Sequence, residues 1–299
     1  MCCLISQNCL TCLKTDLGLS NVQRLDQVLV ARQLVPSRTA AARHIQAGEV
    51  NVNGETVTKP ATKVSDQDEV GLTIVGPQYA SRAGHKLAGA FDRFSSIAVA
   101  GARCLDAGAS TGGFTDVLLQ RDAQQVVAVD VGRDQLVQRL RNDPRVDVHE
   151  GVNIRYLAPD DIAGPVDIVV SDLSFISLKL VLLSLVAVCK PGAQLVLMIK
   201  PQFEIGRERL PKSGVVVNPQ QRREAVMNVI EEALECGLTP RGVAASRLPG
   251  QDGNREYFFW ASLKADGESV YEVTEAAQWL DTQHVEWADA LPSSYPHRV

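Results

Sequence analysis

The stretch of sequence that decides the fold is Leu105-Asp106-Ala107-Gly108-Ala109-Ser110-Thr111-Gly112-Gly113-Phe114-Thr115. It predicts a strand that enters a glycine-rich turn, followed by a helix. Glycines let the backbone of such a turn approach a ligand and present amide donors at the start of a helix. The spacing is G-x-x-x-G-G rather than the G-x-G-x-x-G of dinucleotide-binding enzymes, which gives less reason to expect a pyrophosphate.

An acidic residue ends the next predicted strand. Asp130 closes the apolar run Val126–Asp130, and a carboxylate there can accept hydrogen bonds from both hydroxyls of a ribose. The turn and this acid together are similar to the S-adenosylmethionine site of Rossmann-like methyltransferases. The alternative is a turn that only packs the helix against the strand. We therefore predict S-adenosylmethionine as the cofactor, in contact with Asp106, Gly108, Ser110, Gly112, Gly113, Phe114 and Asp130.

Strands and helices alternate through residues 82–265. The predicted strands are Arg103–Asp106, Val126–Asp130, Val146–His149, Val166–Asp172, Gln194–Lys200, Gly242–Arg247 and Glu256–Ala261. Such alternation predicts a largely parallel, Rossmann-like α/β sheet with helices on both faces. Asn153 follows the third of these strands, and it is predicted either to contact the adenine of the cofactor or to cap a turn.

A smaller α+β domain is predicted over residues 21–75. Apolar periodicity predicts helices over Arg24–Val30 and Arg38–Ala47. The dipeptide Asn53-Gly54 predicts a tight hairpin turn, and Val70–Val75 predicts one more strand. The two helices and the short strands would together bury one small core.

The remaining segments are two ends and a linker. We expect a disordered leader over residues 1–20, a linker over 76–81 and an acidic tail over 266–299 with one helix and a frayed end. No apolar run approaches the roughly 20 residues of a membrane span, and the N-terminus lacks the pattern of a secretory signal. We therefore expect a cytoplasmic protein.

Cysteines and charge narrow the class of protein. The chain of 299 residues is 45% hydrophobic and 22% charged, as is ordinary for a globular protein of about two domains. Cys9 and Cys12 have zinc-like spacing, but neither a second such pair nor a histidine pair follows, so no metal site is predicted. The net charge of −5 argues against a generic nucleic-acid binder, so any RNA contact must come from local basic patches.

Ionisable residues gather at one predicted edge of the larger sheet. Asp172 and Lys200 end parallel strands, where ligands of open α/β sheets bind. Glu256 begins a late strand, and its start lies at the same edge if that strand is antiparallel. Lys86 is predicted at the mouth of the domain. Taken singly, Lys86 could be a solvated surface charge and Asp172 a helix cap, but the four residues together indicate a catalytic site.

These residue types suit methyl transfer to a ribose hydroxyl. A 2′-hydroxyl is a poor nucleophile because it holds its proton, and a nearby lysine can accept that proton or stabilise the developing alkoxide. We predict that Lys200 does so, with Asp172 orienting it. Lys86 and Glu256 would position the ribose.

The same residues carry a family resemblance. Residues 82–262 resemble the FtsJ-like 2′-O-ribose methyltransferases, and residues 24–75 resemble the RNA-binding domain named after the fourth small-subunit ribosomal protein. In this order the pair is similar to the hemolysin-A (TlyA) family of ribosomal RNA methyltransferases. The most specific stretches are Asp106–Thr115, Ser171–Leu178, Ile199–Gly206 and Asn254–Trp260.

The resemblance implies 2′-O-methylation of cytidines in the ribosomal RNA of one or both subunits. It also implies a Lys-Asp-Lys-Glu tetrad, which falls on Lys86, Asp172, Lys200 and Glu256. One departure is Ala83, where the family usually has glycine, and it puts the local turn in doubt. In the smaller domain the candidate phosphate contacts are Arg24, Arg38 and Arg43, each of which could also be an ordinary solvated charge.

Three other functions are open to a sequence of this kind. The first is a non-catalytic RNA-binding or ribosome-assembly factor, against which the intact glycine turn, Lys200 and Asp172 argue. The second is a membrane-active hemolysin, but the sequence shows no membrane-spanning or amphipathic segment that would support it. The third is methylation of a base, a protein or a small molecule. No Asn-Pro-Pro-Tyr-like motif follows the fourth strand, where Ser171-Asp172-Leu173-Ser174 stands instead.

Overall fold

The computed structural model describes residues 22–35, 37–73, 79–264 and 273–288. The described residues form two compact units, of which the first ends with residue 73 and the second begins with residue 79. The leader predicted over residues 1–20 lies outside the described residues, as do residues 76–78 of the predicted linker.

The first unit combines two helices with short antiparallel strands. Its elements are β1 Gln23–Arg24, α1 Leu25–Ala31, α2 Arg38–Gln46, β2 Val50–Val52, β3 Glu55–Thr56, β4 Lys63–Val64 and β5 Val70–Leu72. β1 pairs with β4, and β2 pairs with both β3 and β5. A buried core joins both helices to the strands through Leu25, Leu29, Ile45, Val50 and Val64. The predicted α+β arrangement is confirmed.

Local signals in the sequence define the elements of this unit. Ser37 Oγ accepts a hydrogen bond of 3.2 Å from the amide of Ala40 and so caps α2. Asn53 and Gly54 both have left-handed backbone angles, with φ of 53° and 84°, as a two-residue hairpin turn requires. β5 occupies the first three residues of the strand predicted over Val70–Val75.

The second unit is built on a seven-stranded sheet. Its strands are β6 Arg103–Ala107, β7 Gln125–Asp130, β8 Val146–Glu150, β9 Val166–Ser171, β10 Cys189–Ile199, β11 Leu238–Ala245 and β12 Tyr257–Leu263. They lie in the order β11-β12-β10-β9-β6-β7-β8, and β10 to β8 are parallel. β12 runs antiparallel between β10 and β11, with Tyr257 opposite Ile199, so its start lies beside the end of β10.

Each predicted strand of this unit is present, with shifted ends. The largest shift concerns β10, which was expected over Gln194–Lys200 and begins five residues earlier, at Cys189. β11, expected over Gly242–Arg247, begins four residues earlier, at Leu238. Asp172, Lys200 and Glu256 each stand one residue outside a strand rather than within it. The ionisable residues therefore lie on loops at the edge of the sheet, where their side chains can turn toward a ligand.

Helices cover both faces of the sheet. They are α3 Arg82–Arg93, α4 Gly113–Gln120, α5 Gln138–Arg141, α6 Leu182–Ala187, α7 Pro201–Glu204, α8 Pro219–Glu235 and α9 Val273–Thr282. Successive strand residues point to opposite faces. Ile168 and Val196 pack with residues of α3 and α4, whereas Val169 and Leu197 pack with residues of α6, α8 and α9. The predicted Rossmann-like layers are confirmed.

The helix of the acidic tail is part of the core of the second unit. Ala276 and Leu280 of α9 are buried among the side chains that cover one face of the sheet. The chain then continues without helix through Glu286 and Trp287, and Trp287 packs against the same core. None of the helices in the described ranges is long and apolar enough to cross a membrane.

Replacing Leu197 by alanine is expected to lower the free energy of unfolding of the second unit by about 2 to 5 kcal/mol. The Leu197 side chain is 0% exposed in the central strand β10, so the substitution leaves a cavity. Urea unfolding followed by circular dichroism measures the change. Leu183→Ala, at a residue that is 72% exposed, is the matched control and should cost less than about 1 kcal/mol. Equal losses for the two variants would contradict the assigned core.

Candidate active site

A cleft of 760 Å³ opens at the edge of the sheet where β6, β9 and β10 end. Its walls come from the loops after these strands, the start of α3 and the loop before β12. The predicted site residues that line it are Lys86, Gly108, Ser110, Gly113, Phe114, Asp172, Lys200 and Glu256. Four other predicted cofactor contacts are not among the residues that line this cleft: Asp106, Gly112, Asp130 and Asn153.

Lys86 and Glu256 form a buried ion pair in this cleft. Lys86 lies on α3, and its Nζ donates a hydrogen bond of 2.6 Å to Glu256 Oε2. Glu256 is only 3% exposed, and this burial raises the pKa of its carboxyl group, while the Lys86 ammonium lowers it. Separating the pair would leave two buried charges without partners, at a large cost in free energy. This cost keeps both side chains in place.

Lys200 is held at the junction of β10 and α7. Pro201 begins α7, and Lys200 is the extended residue just before it. The Nζ of Lys200 lies 2.8 Å from Asp172 Oδ1 and donates a hydrogen bond of 2.8 Å to Ser174 Oγ. The lysine is thus fixed by two groups of the loop after β9. The sequence predicted Asp172 but not Ser174.

The two ion pairs lie close enough to influence one another. Lys200 lowers the pKa of Glu256 and Asp172 raises it, in addition to the effects of burial and Lys86. The structure therefore brings together the four residues that the sequence placed in one constellation. They come from α3, from the residues just after β9 and β10, and from the residue just before β12, four segments that are far apart in the sequence.

Two glycines let α3 approach the cofactor turn. A Cβ atom on Gly84 would lie 2.9 Å from the carbonyl oxygen of Gly113, and one on Gly113 would lie 3.0 Å from the amide of Gly84. Both are shorter than ordinary contacts with Cβ. The resulting close approach brings Lys86 beside the glycine-rich turn. Ala83, the departure from the family pattern, fits beside it and lines the cleft.

The glycine-rich turn has a left-handed backbone at several positions. The φ angles are 89° at Gly108, 46° at Ser110 and 96° at Gly112. A Cβ atom on Gly108 would lie 2.8 Å from the carbonyl oxygen of Asp172, so the turn packs directly against the loop that carries Asp172. Ser110 adopts an angle that is uncommon for a residue with a side chain, which requires support from its surroundings.

Asp130 supplies that support. Its Oδ2 accepts a hydrogen bond of 2.8 Å from the amide of Ser110, and its Oδ1 accepts one of 2.7 Å from the amide of Gly132. Each carboxylate oxygen has a second lone pair, so Asp130 can still accept the hydroxyls of a ribose. Val131, which the sequence analysis did not single out, is an exposed apolar residue next to it.

Asn153 performs the capping role that the sequence left open. Its Oδ1 accepts a hydrogen bond of 3.1 Å from the amide of Arg155 at the start of the 3₁₀ turn Ile154–Tyr156. The side chain is exposed at the end of β8. If Asn153 also contacts adenine, it must do so while its Oδ1 accepts this hydrogen bond.

Asp106 is a carboxyl group buried beneath the turn. Thr115 Oγ1 donates a hydrogen bond of 2.6 Å to Asp106 Oδ2, while Oδ1 is buried without a hydrogen-bond partner among the described residues. Burial raises the pKa of Asp106 from its ordinary 3.8 to about 7, against the hydrogen bonds from Thr115, which lower it.

An exposed aromatic ring stands at the cleft and was not predicted. Phe175 is 92% exposed, with a left-handed φ of 65°, and its ring centre lies 5.3 Å from that of Phe203. Glu204 holds this loop to α7, because it accepts hydrogen bonds from Ser177 Oγ at 2.5 Å and from the amide of Leu178 at 2.9 Å. The sequence did contain a signal for this ring: the aromatic Phe175 follows the polar residues Asp172 and Ser174 in the loop after β9.

In the first unit, two of the three predicted phosphate contacts, Arg24 and Arg38, pair with the same carboxylate. Asp26 is buried and pairs with Arg24 at 2.9 Å and with Arg38 at 3.3 Å. The hydrogen bond from Arg24 lowers the pKa of Asp26, so the carboxylate stays charged. Arg43 is exposed, with no hydrogen-bond or ion-pair partner among the described residues. The arginines remain accessible to a ligand.

Known protein families and curated relatives match about four fifths of the chain. Residues 79–263 match the FtsJ-like methyltransferase family, and residues 23–70 match the S4 domain. The 16S/23S rRNA (cytidine-2′-O)-methyltransferase TlyA of Mycobacterium tuberculosis is 52% identical over 246 residues, which are 81% of this chain and 91% of that protein. Hemolysin A of Brachyspira hyodysenteriae is 38% identical over 78% of this chain and 97% of its own.

A solved structure agrees with these relatives. A hemolysin of Streptococcus thermophilus superimposes with a TM-score of 0.64 at 36% identity, over 88% of this chain and 96% of its own. The chain belongs to the TlyA family of FtsJ-like methyltransferases. Both parts of the predicted resemblance are thereby confirmed, in the predicted order. The methyl donor of a TlyA-family methyltransferase is S-adenosylmethionine.

The residues at the turn fit this cofactor. The turn after β6 is left-handed at Gly108 and Gly112, which suits a backbone that approaches a ligand closely. Asp130 at the end of β7 retains acceptor capacity for hydroxyl groups, and the exposed Val131 offers an apolar surface next to it. The cleft beside the turn is also lined by Lys86 and Lys200.

Asp106→Asn is expected to flatten the pH dependence of stability. Because the pKa of Asp106 is raised to about 7, the folded protein keeps a proton that the unfolded chain releases between about pH 4 and 7. The free energy of unfolding of the unaltered protein therefore falls with rising pH over this window, relative to the variant. Urea unfolding of both proteins at several pH values measures the difference.

The control is Asp160→Asn, which removes one exposed carboxyl group from the same unit. A difference between Asp106→Asn and the unaltered protein that stays constant across the window would contradict the raised pKa of Asp106.

Proposed function

We propose that this protein transfers a methyl group from S-adenosylmethionine to the ribose 2′-hydroxyl of a cytidine in ribosomal RNA. The observation that carries the proposal is the pairing of Lys200 with Asp172 and of Lys86 with Glu256 in one cleft beside the cofactor turn. The Mycobacterium tuberculosis relative, named for this reaction on 16S and 23S rRNA, supports the substrate. A ribosomal substrate implies action in the cytoplasm.

The cofactor supplies an electrophilic methyl group when it is bound. Lys200 is the group we assign to the acceptor hydroxyl, because its Nζ is oriented by Asp172 and Ser174 and faces the cleft. As a neutral amine, Lys200 takes the proton of the 2′-hydroxyl; as an ammonium, it stabilises the alkoxide while that proton passes to solvent. Asp172 keeps the amine in position throughout.

Lys86 and Glu256 position the ribose in this proposal. Their ion pair is buried, and so it offers a fixed donor and a fixed acceptor to the sugar hydroxyls. Holding the reacting oxygen in line with the methyl group removes a large entropic part of the barrier. The cofactor contacts are the residues of the turn and Asp130.

Phe175 supplies a stacking surface for the base of the target nucleotide. RNA-modifying proteins expose a base by turning it out of its stack and hold it against aromatic side chains. The Phe175 ring is almost fully exposed at the cleft and is steadied by Phe203.

The S4 domain binds the RNA through its arginines. We propose residues 21–75 as the RNA-binding domain and 82–265 as the catalytic domain. Arg24 and Arg38 are held by the buried Asp26, and Arg43 extends from the same helix as Arg38. Such a cluster can meet RNA phosphates even in a chain whose net charge is −5.

A non-catalytic binding factor would not need two largely buried lysine–carboxylate pairs. Buried ion pairs cost free energy to desolvate and add little to stability over apolar residues. Their presence in the cleft therefore supports catalysis. The hemolysin names of two relatives motivate one further check, the release of dye from liposomes by the purified protein.

Methyl transfer from radiolabelled S-adenosylmethionine to purified bacterial ribosomal subunits tests the proposal. The expected product is 2′-O-methylcytidine, identified by mass analysis of the nucleosides. Lys200→Ala should lower transfer by about 100-fold or more, because the group that accepts the proton or stabilises the alkoxide is lost, while the dissociation constant for the cofactor changes little.

Lys190→Ala is the matched control, since Lys190 lies near the other end of β10 and pairs with Asp167. It should leave transfer unchanged. No incorporation into subunits, naked ribosomal RNA or whole ribosomes would overturn the proposed reaction. A methyl group found on the base would overturn the assignment to ribose.

Arg43→Ala is expected to weaken binding to ribosomal RNA and to lower the slope of log affinity against log salt by about 1. Arg43 is exposed and supports no described residue, so the S4 domain should keep its stability. Filter binding at several salt concentrations measures both quantities. Arg121→Ala removes one positive charge from the second unit and controls for net charge. An unchanged slope for Arg43→Ala would remove this residue from the interface.

A further inference from the structure

The chain after α9 returns to the strand start that carries Glu256. We call residues Glu286–Ala288 the C-terminal brace. The guanidinium of Arg255 donates hydrogen bonds to the carbonyl oxygen of Ala288 and, at 2.9 Å, to Glu286 Oε2. The ring of Trp287 lies 5.0 Å from the ring of Tyr257. The brace therefore contacts the residues on both sides of Glu256.

A buried arginine anchors the brace from α8. Arg222 is 1% exposed, and its Nη1 donates a hydrogen bond of 2.9 Å to the carbonyl oxygen of Trp287. Its Nε donates one of 2.7 Å to the carbonyl oxygen of Val216. A guanidinium can bridge two carbonyl groups because its donors have a fixed, planar arrangement. Arg222 thus joins the brace to the loop before α8.

That loop is bonded in turn to the residue two positions before Glu256. Asn254 is buried, and its Oδ1 accepts a hydrogen bond of 2.9 Å from the amide of Val216. Its Nδ2 donates one of 2.9 Å to the carbonyl oxygen of Gly214, which lines the cleft. The bonds form a closed circuit from the brace through Arg222, the loop and Asn254 back to the brace through Arg255.

This circuit holds the strand start without entering the cleft. Successive side chains of an extended segment point to opposite faces. Tyr257 packs on the face covered by α8 and α9, whereas Phe258 packs on the face covered by α3. Glu256 reaches Lys86 of α3, so it points to the face opposite Tyr257 and the brace. The contacts therefore fix the backbone at Glu256 and leave its carboxylate to the active site.

We propose that the C-terminal brace is a positioning element that sets the Lys86–Glu256 pair through Arg222 and Arg255. The inference rests on the proposed function, since it concerns the pair assigned to position the ribose. The brace and its two arginines touch no reacting atom. They act by restricting the backbone of residues 254–257, which carries Glu256 to the edge of the cleft.

Two truncated chains test the brace with a built-in control. A chain that ends at Ala288 keeps it, and a chain that ends at Val285 lacks it. The measurements are kcat and KM for methyl transfer to purified ribosomal subunits, counted per cofactor-binding site by calorimetry. We expect the chain ending at Val285 to lose about tenfold or more in kcat with little change in KM, because a small displacement of a positioning group costs rate. The chain ending at Ala288 should match the full chain.

A pair of conservative variants on α8 repeats the test in the full chain. Arg222→Lys keeps the charge but loses the planar bridge, and it should lower kcat in the same way. Arg223→Lys alters the neighbouring arginine, which pairs with Asp281 on α9, and it should leave kcat unchanged. A loss of kcat that only follows a loss of cofactor-binding sites would mark a purely structural role and overturn the proposal.

Hydrogen exchange of the amides of residues 254–258 gives a readout apart from activity. Exchange should accelerate in the chain that ends at Val285 and not in the chain that ends at Ala288. Unchanged exchange would overturn the proposed role of the brace, whether or not the full chain transfers a methyl group. Absence of methyl transfer by the full chain would overturn only the proposed function. Accelerated exchange with unaltered kcat would also overturn the proposed role of the brace.

Discussion

Two ion pairs at one end of the sheet are the constraint on which the catalytic unit depends, with Lys86, Lys200 and Glu256 buried and Asp172 partly buried. Charges held out of water are costly unless each meets a partner of opposite sign with good geometry. Lys86 and Glu256 meet at 2.6 Å, and Lys200 meets Asp172 at 2.8 Å. Four separate segments of the chain must converge to make these pairs. The glycines and the strand direction described next make this convergence possible.

Glycine and strand direction are the means by which the segments converge. Gly84 and Gly113 let α3 lie against the cofactor turn, and Gly108 lets that turn lie against the loop after β9. The antiparallel β12 brings the Glu256 segment back beside the end of β10, which a further parallel strand could not do at the same edge. The glycine-rich turn and the two ion pairs therefore line the same cleft.

Much of this could be predicted from the sequence because the signals are local. The apolar strands, the glycine turn and the acid at the end of the next strand each lie within a short window, and all were found. The ends of elements were less certain: β11 begins four residues before its predicted start, since Leu238 pairs with Leu263 of a strand that lies elsewhere in the sequence. Ser174, Phe175 and Glu204 were missed because their roles depend on contacts between the loop after β9 and the segment Lys200–Glu204.

The sequence by itself determined the order of strands and helices, the two-domain plan, the cofactor turn and the identity of the paired lysines and carboxylates. These follow from periodicity, turn chemistry and residue type, which act over a few residues. The tertiary structure alone decided which lysine meets which carboxylate, that Asp130 supports the turn, and that the acidic tail packs into the core and reaches the Glu256 strand. The physical reason is that such contacts join residues far apart in the chain, and only the packing of the whole sheet brings them within bonding distance.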